Sequence, residues 1–539
     1  MATKKKSVVS KATKAVKKAA NNVAKAAKSA TKSTKSSSTK KASNEIVLLL
    51  RQHVGKPCVP CVKKGDKVSV GQLIATPQGL GANIHSSVAG TVTKVTDQSI
   101  SIAPSTVLSF LGQVIPKTIK ADKKDLLACV NEAGVVGMGG AGFPTGTKLA
   151  TDLKGGYILV NAAECEPLLA HNMAQILKYP KETIKGIHYC MQIANASHGI
   201  IAIKKKHEKE VEALLKALKG VSDIHVHLLP DIYPMGEERA VVRECLGKLL
   251  DVTDLPSAAQ AHVCNVETVL RVFEAIEYKR PVVSKNLTVV GKMKKGKESQ
   301  VLMDVPIGMS VRDVLEWAGG IDGDYGEIIM GGPFMGRPTT LDAPITKTTG
   351  GLIVTKPFKD YKGAKVGLLV CACGGNEDRL KDLAAKQNMK VVEVQYCKQA
   401  KDPKGNGVYK CENPGNCPGQ AIKCMNIKKA GATEILISNC SDCTNTVMGS
   451  APGLGLNVHH ETDHVFETVG MEVMRKLTKS KFVDGAIPAG CTASRNPEEK
   501  AKEAATDYSK PYQFKESTPD GDIVFSVESG SDIKITWED

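Results

Sequence analysis

The sequence of 539 residues is too long for one hydrophobic core and predicts three or four domains, at roughly 150 residues each. With 42% hydrophobic and 24% charged residues, its composition is that of a globular protein. No apolar run approaches the ~18 residues that a membrane-spanning helix needs. These features exclude an integral membrane protein, and we expect a cytoplasmic chain that is at most peripheral to a membrane.

The net charge of +17 is concentrated at the start of the chain. Residues 1–44 contain 13 lysines and no acidic residue, so the remaining residues are nearly balanced in charge. Lysine, alanine, serine and threonine dominate this basic tail, which has no large apolar face to bury and is predicted to be disordered. Two interpretations stay open: a solubilising extension, or a polybasic arm that contacts nucleic acid, an anionic surface or an acidic partner.

Short β-prone runs alternate with turn residues in 45–110, a spacing typical of a small all-β domain. The pattern is similar to the barrel-sandwich domains that carry biotin or lipoate. A carrier domain needs a lysine at an exposed hairpin tip, whereas the corresponding segment 81–87 reads Gly-Ala-Asn-Ile-His-Ser-Ser. We therefore expect a lipoyl-like domain without a carrier lysine, in a structural or docking role.

A glycine-rich segment follows a predicted helix over 125–133. It contains Gly-x-Gly-x-x-Gly, but in a Rossmann fold this motif directly follows a strand, so the preceding helix argues against that fold. Closely spaced glycines still let backbone N–H groups approach a phosphate or a flavin ring, and a lysine adds a compact positive charge. The predicted flavin- or phosphate-binding residues of this segment are Gly137, Gly139, Gly140, Gly142 and Lys148.

A short apolar run over 157–160 predicts a buried strand, and Asn161, Glu164 and Glu166 follow at its end. The carboxyl ends of strands are where open α/β sheets bind ligands. An asparagine amide suits the edge of a flavin ring, and paired carboxylates suit ribityl or ribose hydroxyls. Since strands and helices continue to alternate, 120–282 is predicted to be an α/β domain that binds a flavin and a nucleotide.

Five segments resemble RnfC proteins and, more distantly, the flavin-bearing subunit of respiratory complex I, in sequence and in order: 137–148, 161–167, 233–238, 265–268 and 331–336. The resemblance implies that the glycine-rich and acidic segments bind FMN and NADH. It also implies a soluble-ligand-binding β-grasp domain over 284–356. The implied reaction is hydride transfer from NADH to FMN, followed by electron transfer to a partner.

The chain contains sixteen cysteines and no apolar signal-peptide core in its basic tail, so we expect reduced thiols, metal ligands or redox cysteines. In 364–478, repeated strand–cysteine–helix patterns predict an α/β domain with cysteines at one sheet edge. An iron–sulfur cluster, a thiol/disulfide relay, and structural zinc or inert buried cysteines all stay open. The predicted metal ligands are Cys371, Cys373, Cys397, Cys440 and Cys443, of which all but Cys397 are also the predicted catalytic cysteines.

This cysteine domain departs from the RnfC pattern, because the sequence has no ferredoxin-type C-x2-C-x2-C-x3-C-P run. Its layout resembles the cysteine domain of heterodisulfide-reductase-associated hydrogenase subunits. The whole chain resembles the PrdC proteins, which implies D-proline reductase as the partner. Residues 479–539 are predicted to form an irregular tail with a terminal hairpin.

Taken together, the sequence predicts a multidomain protein of the α/β and α+β classes. The resemblance implies that it oxidises NADH through FMN and passes electrons, through cysteines or an iron–sulfur cluster, to a reductase or a membrane electron-transport complex. The alternative is a cysteine-centred metal or thiol redox protein without flavin.

Overall fold

The computed structural model describes residues 45–105, 115–417, 419–438, 446–473 and 488–493, and the backbone of three strands between 512 and 538. The basic tail, Cys440 and Cys443 lie outside the described residues. Within the described part, no helix has both the length and the apolar character needed to cross a membrane.

The N-terminal domain is a barrel-sandwich built from two small antiparallel sheets, with strand orders β1-β7-β6-β3 and β2-β4-β5. Alternate residues of two paired strands, Ile46 and Leu48 on the first and Ile100 and Ile102 on the second, point into a shared core and are buried. The predicted β domain is confirmed. Its strands are β1 (Ile46–Leu49), β2 (Val59–Pro60), β3 (Lys67–Val68), β4 (Leu73–Thr76), β5 (Ile84–His85), β6 (Gly90–Val95) and β7 (Ser99–Pro104).

The second domain is a parallel sheet of order β11-β8-β9-β10-β23 with helices packed on it. Parallel strands need crossover helices, which explains the alternation seen in the sequence. The elements are α1 (Leu126–Ala133), α2 (Thr145–Leu149), β8 (Tyr157–Ala162), α3 (His171–Lys178), α4 (Pro180–Ala194), β9 (His198–Lys204), α5 (Glu208–Ala217), β10 (Ile224–Leu229), α6 (Glu238–Leu246), β11 (Ala261–Asn265), α7 (Val266–Glu277) and the distant β23 (Cys491–Ala493).

Helix α1 precedes the glycine-rich segment, as predicted. The Asp125 side chain caps its first turn by accepting from the Ala128 N–H at 2.9 Å. Gly134 ends the helix in the left-handed conformation, with φ of 69°, which glycine adopts without steric cost. Local capping chemistry therefore excludes the strand that a Rossmann motif requires.

The predicted irregular tail needs one correction. Strand β23 pairs in parallel with β10, with Cys491 level with Val226, and so extends the sheet of the second domain. Cys491 is buried, and the strand supplies backbone partners to a sheet edge that would otherwise be open. Near the chain end, β24 (Tyr512–Thr518), β25 (Gly521–Val527) and β26 (Ile533–Glu538) form an antiparallel three-stranded sheet that contains the predicted hairpin.

The third domain is a mixed sheet of order β13-β12-β16-β14-β15 with one helix. Helix α8 begins after Ser310, whose side chain accepts from the Asp313 N–H at 3.1 Å. Its assignment as a β-grasp domain and its ligand-binding role stay predictions. The elements are β12 (Ser284–Gly291), β13 (Gln300–Pro306), α8 (Val311–Trp317), β14 (Ile328–Met330), β15 (Arg337–Thr339) and β16 (Gly351–Val354).

The cysteine domain has a parallel sheet of order β18-β17-β21-β22. The carboxyl ends of its strands share one edge, as the sequence pattern suggested. Its elements are β17 (Lys365–Val370), α9 (Glu377–Lys386), β18 (Lys390–Tyr396), the short pair β19 (Ala400–Lys401) and β20 (Lys410–Cys411), α10 (Ala421–Lys429), β21 (Glu434–Ile437), β22 (Asn457–His460) and α11 (Asp463–Val469).

Lys347 joins three of these domains. Its side chain is buried, and its Nζ donates to the Asn83 carbonyl at 2.6 Å and to the Gly134 carbonyl at 2.7 Å. Asn83 lies in the barrel, Gly134 at the end of α1, and Lys347 in the segment before β16. Burial lowers the pKa of Lys347 to about 7, because the ammonium loses its hydration.

We predict that Lys347→Met removes a pH-dependent part of the stability. The lowered pKa means that the folded protein binds fewer protons than the unfolded chain between about pH 7 and 10, so stability rises with pH there by up to about 1.4 kcal/mol per unit. Urea unfolding of wild type, Lys347→Met and the exposed control Lys297→Met at pH 7 and 9 measures the effect. Equal pH dependence in wild type and Lys347→Met would contradict it.

Candidate functional site

The glycine-rich loop is an ordered structure with a buried underside and an exposed upper side. Met138 is buried, and its backbone N–H donates to the Thr268 hydroxyl at 2.9 Å. Gly139, Gly140 and Ala141 are exposed, and no atom lies within 4 Å of the position that a side chain on Gly140 would take. The loop therefore presents bare backbone to a ligand approaching from above.

Two asparagines lie side by side under this loop, at the carboxyl ends of neighbouring parallel strands. Asn161 of β8 is level with Asn265 of β11. The Asn161 amide donates to the Gly236 carbonyl at 2.8 Å, and the Asn265 side chain caps α7 by accepting from the Glu267 N–H at 2.9 Å. Any side chain on Gly139 would collide with the Asn265 amide, so this close approach of the loop backbone to Asn265 requires glycine.

Lys148 lies at the same edge. It belongs to α2, is half-buried, and its Nζ donates to the Val263 carbonyl of β11 at 2.9 Å. Gly137 and Gly142 play a different part from Gly139 and Gly140. Gly137 closes the loop by donating to the Phe143 carbonyl at 2.9 Å, and Gly142 is left-handed and packs against the barrel.

The turn that follows β8 contains Glu164 and Glu166 and is called the acidic turn. An asparagine side chain binds the first of its two carboxylates. Glu164 has a left-handed φ of 31° and accepts from the Asn172 amide at 3.0 Å. Burial raises the pKa of Glu164 to about 7. The Oδ1 of Asn172 is buried and, among the described residues, has no hydrogen-bond partner. A buried acceptor without a donor is costly, and a ligand hydroxyl would satisfy it.

The second carboxylate of the turn ties it to the third domain. The Glu166 carboxylate accepts from the backbone N–H groups of Phe334 and Met335, each at 2.8 Å. Any side chain on Gly332 would collide with this carboxylate. Burial raises the pKa of Glu166 to about 7, although the two N–H groups oppose that shift. The resemblance had implied only a ligand-binding role for Glu166, so the docking of loop 331–336 is an additional finding.

Cys165, which the sequence did not single out, lies between the two carboxylates. Its Sγ accepts from the Gly236 N–H at 2.6 Å, and burial raises the pKa of Cys165 to about 11. The buried Lys204 lies close enough to lower that pKa and is paired with Asp231 at 3.0 Å. Cys165 and Lys204 are 39 residues apart in the sequence, so their proximity could not be predicted from sequence spacing.

Two of the predicted cysteines meet at the edge of the cysteine domain. Val370 of β17 is level with Tyr396 of β18, so the next residues, Cys371 and Cys397, are also neighbours. Their side chains are hydrogen-bonded, and this bond lowers the pKa of Cys397 to about 7. Both are buried. Adjacent parallel strands lie ~4.8 Å apart, a spacing that also allows a disulfide between facing cysteines.

Other cysteines surround this pair. The backbone N–H of Cys373 donates to Cys371 Sγ at 3.4 Å, and the Gln420 amide donates to Cys397 Sγ at 3.2 Å and to Cys417 Sγ at 3.5 Å. Sequence spacing alone did not place Cys417 with the pair. Among the described residues, no group of three or more His, Cys, Asp or Glu side chains is arranged to hold a metal ion.

We predict that Glu166→Gln loosens loop 331–336. A glutamine has one acceptor oxygen instead of two, so one of the two N–H groups faces an amide donor at a cost of about 1–3 kcal/mol. Hydrogen–deuterium exchange at fixed pH should show the Phe334 and Met335 amides exchanging at least fivefold faster. The exposed control Glu298→Gln should leave these rates unchanged, and protected amides in Glu166→Gln would refute the assigned role.

Two family models match the chain. Residues 22–111 match the RnfC barrel sandwich hybrid domain, and residues 130–274 match the Nuo51 FMN-binding domain. The second match includes the glycine-rich loop, both asparagines and the acidic turn. A solved structure of an NAD+-reducing NiFe hydrogenase in the H2-reduced state is similar with a TM-score of 0.37 and 21% identity, covering 44% of this chain and 47% of that one.

Several curated proteins are similar in sequence. The cobalamin reductase PduS of Salmonella typhimurium strain LT2 is 41% identical over 226 residues, which cover 42% of this chain and 48% of that protein. The chain thus spans about half the length of the cobalamin reductases it matches. These matches do not confirm the expected resemblance to PrdC proteins.

Proteins from two ferredoxin:NAD+ oxidoreductase complexes match over a longer region. The one from the proton-translocating complex of Clostridium ljungdahlii is 32% identical over 326 residues, 58% of this chain and 70% of that protein. The one from the Na+-translocating complex of Acetobacterium woodii is 30% identical over 328 residues, 58% of this chain and 73% of that protein. With these matches and both family models, the chain belongs to the RnfC family of electron-transfer oxidoreductase proteins.

Proposed function

We propose that this protein oxidises NADH with a bound FMN and passes the electrons to cysteines of its C-terminal domain. The observation that carries the proposal is the geometry of the glycine-rich loop. Gly139 rests on Asn265 at the carboxyl edge of a parallel sheet, Asn161 lies beside Asn265, and the face of Gly140 is open. Ligands of open α/β sheets bind at such an edge.

The residues at this edge fit a flavin mononucleotide. The exposed backbone of Gly139 and Gly140 admits a planar ring or a phosphate, and Lys148 supplies positive charge for the phosphate. The buried Asn172 Oδ1 is an acceptor that still needs a donor, which a ribityl or ribose hydroxyl provides. When bound, FMN supplies hydride acceptance from NADH and release of the electrons one or two at a time.

The two carboxyl groups of the acidic turn are proposed to position the ligand by hydrogen bonding. Because their pKa values are raised to about 7, Glu164 and Glu166 are each partly protonated at neutral pH. A carboxyl in that state either donates to or accepts from a ligand hydroxyl. Glu166 also fixes loop 331–336 beside Glu164 through two backbone hydrogen bonds.

Cys371 and Cys397 are the proposed electron acceptors. A disulfide between these two cysteines would accept two electrons and two protons to give two thiols, which matches the two electrons that NADH supplies. The lowered pKa of Cys397, caused by the hydrogen bond with Cys371, maintains a thiolate fraction at neutral pH. Cys373, Cys440 and Cys443 remain proposed members of the same redox site, and an iron–sulfur cluster on these cysteines is the competing proposal.

The partner that receives the electrons is proposed by chemical class. A dithiol reduces a disulfide or a thiol-dependent reductase by exchange, and D-proline reductase is the specific candidate that the resemblance of the whole chain to PrdC proteins implies. The relatives from Clostridium ljungdahlii and Acetobacterium woodii belong to ion-translocating complexes, so attachment to such a complex is a second candidate. The basic tail of residues 1–44 is proposed to contact an acidic or anionic surface.

We predict that Gly140→Ala weakens FMN binding without changing stability. The added methyl group meets no atom within 4 Å in the protein itself, and the backbone of Gly140 is not left-handed, so the fold accepts it. A bound ring or phosphate would meet the methyl group, and we expect at least tenfold weaker binding, about 1.4 kcal/mol. Quenching of FMN fluorescence during titration of the protein measures the affinity.

The matched control is Gly453→Ala, at another glycine with open space and ordinary backbone but far along the chain in the cysteine domain. It should bind FMN as wild type does. Equal FMN affinity in Gly140→Ala and wild type would place the flavin elsewhere.

We predict that Cys371→Ala raises the pKa of Cys397 towards its usual range, because the hydrogen bond that stabilises the thiolate is lost. At pH 7, alkylation of Cys397 by iodoacetamide should slow by about threefold to tenfold, since the thiolate is the nucleophile. Peptide mass spectrometry over pH 6–9 gives the titration curve. Cys424→Ala, a buried cysteine that contacts Ser450 instead, is the control, and an unchanged Cys397 curve in Cys371→Ala would contradict the pairing.

A further inference from the structure

The candidate electron entry and exit sites are joined by a buried pair of aromatic rings. Phe334 contacts the acidic turn directly, because its backbone N–H donates to Glu166 at 2.8 Å. Its ring stacks on the ring of Tyr233, with centroids 4.0 Å apart and planes 15° from parallel. The Tyr233 hydroxyl donates to the Cys373 carbonyl at 3.3 Å.

Both ends of this pair belong to sites already described. Tyr233 is three residues before Gly236, whose carbonyl accepts from Asn161 and whose N–H donates to Cys165. Cys373 is two residues after Cys371 and donates to its sulfur through its backbone N–H. The contacts therefore run without a break from the flavin edge of the second domain to the cysteine pair.

The pair is buried and fixed on several sides. Phe334 is 4% exposed and Tyr233 is 6% exposed. The ring of His460, at the end of β22, packs edge-on against Phe334 with centroids 5.6 Å apart. Close packing of buried side chains restricts changes in the separation of the two rings.

Two arginines of α6 hold the cysteine domain against the second domain beside the rings. Arg239 donates to the Cys411 carbonyl at 2.6 Å. Arg243 donates to the Asn413 side chain at 2.6 Å and to the Pro414 carbonyl at 2.8 Å. Charge-assisted bonds of this length are among the stronger hydrogen bonds in proteins, so the two domains form a fixed seam.

We propose that Phe334 and Tyr233 form an aromatic bridge through which electrons pass from the flavin site to the Cys371–Cys397 pair. The inference rests on the proposed function. The rings are neither oxidised nor reduced. They occupy the space between the flavin site and the cysteine pair, and electrons tunnel more readily through such packed rings than through water or empty space. The balanced reaction converts NADH, one proton and the Cys371–Cys397 disulfide into NAD+ and two thiols.

The experiment starts from the full chain loaded with FMN and oxidised by diamide, with the reagent then removed under anaerobic conditions. NADH is added, samples are quenched with iodoacetamide, and the alkylated fractions of Cys371 and Cys397 are followed over time by mass spectrometry. Phe334→Leu removes one ring and Tyr233→Phe removes only the hydroxyl. Phe273→Leu is the control, because Phe273 is buried against Tyr278 in another aromatic pair of the same domain.

We expect thiols to form at least about tenfold more slowly in Phe334→Leu, about threefold more slowly in Tyr233→Phe, and at the wild-type rate in Phe273→Leu. A second readout needs neither flavin nor NADH. Reduction of the same disulfide by tris(2-carboxyethyl)phosphine should proceed at one rate in all four proteins, which shows that the cysteine site itself is intact.

The outcomes separate the bridge from the proposed function. If the wild type forms no thiols with NADH, the proposed function fails. If the wild type forms them and both Phe334→Leu and Tyr233→Phe match its rate, the bridge is overturned. If Phe334→Leu unfolds or loses FMN, Tyr233→Phe decides, since it keeps both rings and the packing: a slower rate supports the bridge and a wild-type rate overturns it.

Discussion

The carboxylate of Glu166 is the interaction on which the arrangement of the candidate sites depends. By accepting from two backbone N–H groups of loop 331–336, it fixes this loop of the third domain to the carboxyl end of β8. The same loop carries Phe334, whose ring stacks on Tyr233 of the second domain, and the Tyr233 hydroxyl donates to the Cys373 carbonyl of the cysteine domain. Glu166 thus lies at the start of a series of contacts through three domains, although it was predicted only as a ligand-binding residue.

Sequence patterns predicted those features that depend on interactions between residues close together in the chain. The helix before the glycine-rich loop was readable because Asp125 caps its start and Gly134 ends it, both within a few residues. The neighbouring positions of Cys371 and Cys397 followed from two strands that each end in cysteine, since parallel strands share an edge. The barrel-sandwich domain was predicted from turn spacing, and a family model matches it.

Contacts between distant segments could not be predicted in this way. Glu166 and Phe334 are 168 residues apart, and nothing in either segment indicates the partner. Strand β23 has three residues, too few to show an alternating pattern, and its place beside β10 depends on an edge formed far earlier in the chain. Cys417 joins the redox cysteines through Gln420, a side-chain contact that spacing between cysteines does not encode.

In the proposed function, electrons enter at a flavin on one sheet edge and leave from thiols on another. The most direct test is an anaerobic titration of the FMN-loaded, diamide-oxidised protein with NADH, in which flavin absorbance and thiols are counted after each addition. The account predicts bleaching of the flavin together with NADH consumption beyond one equivalent per flavin, with two new thiols, on Cys371 and Cys397, for the additional NADH. Consumption that stops at one equivalent per flavin without new thiols, or an absence of flavin bleaching, would contradict it.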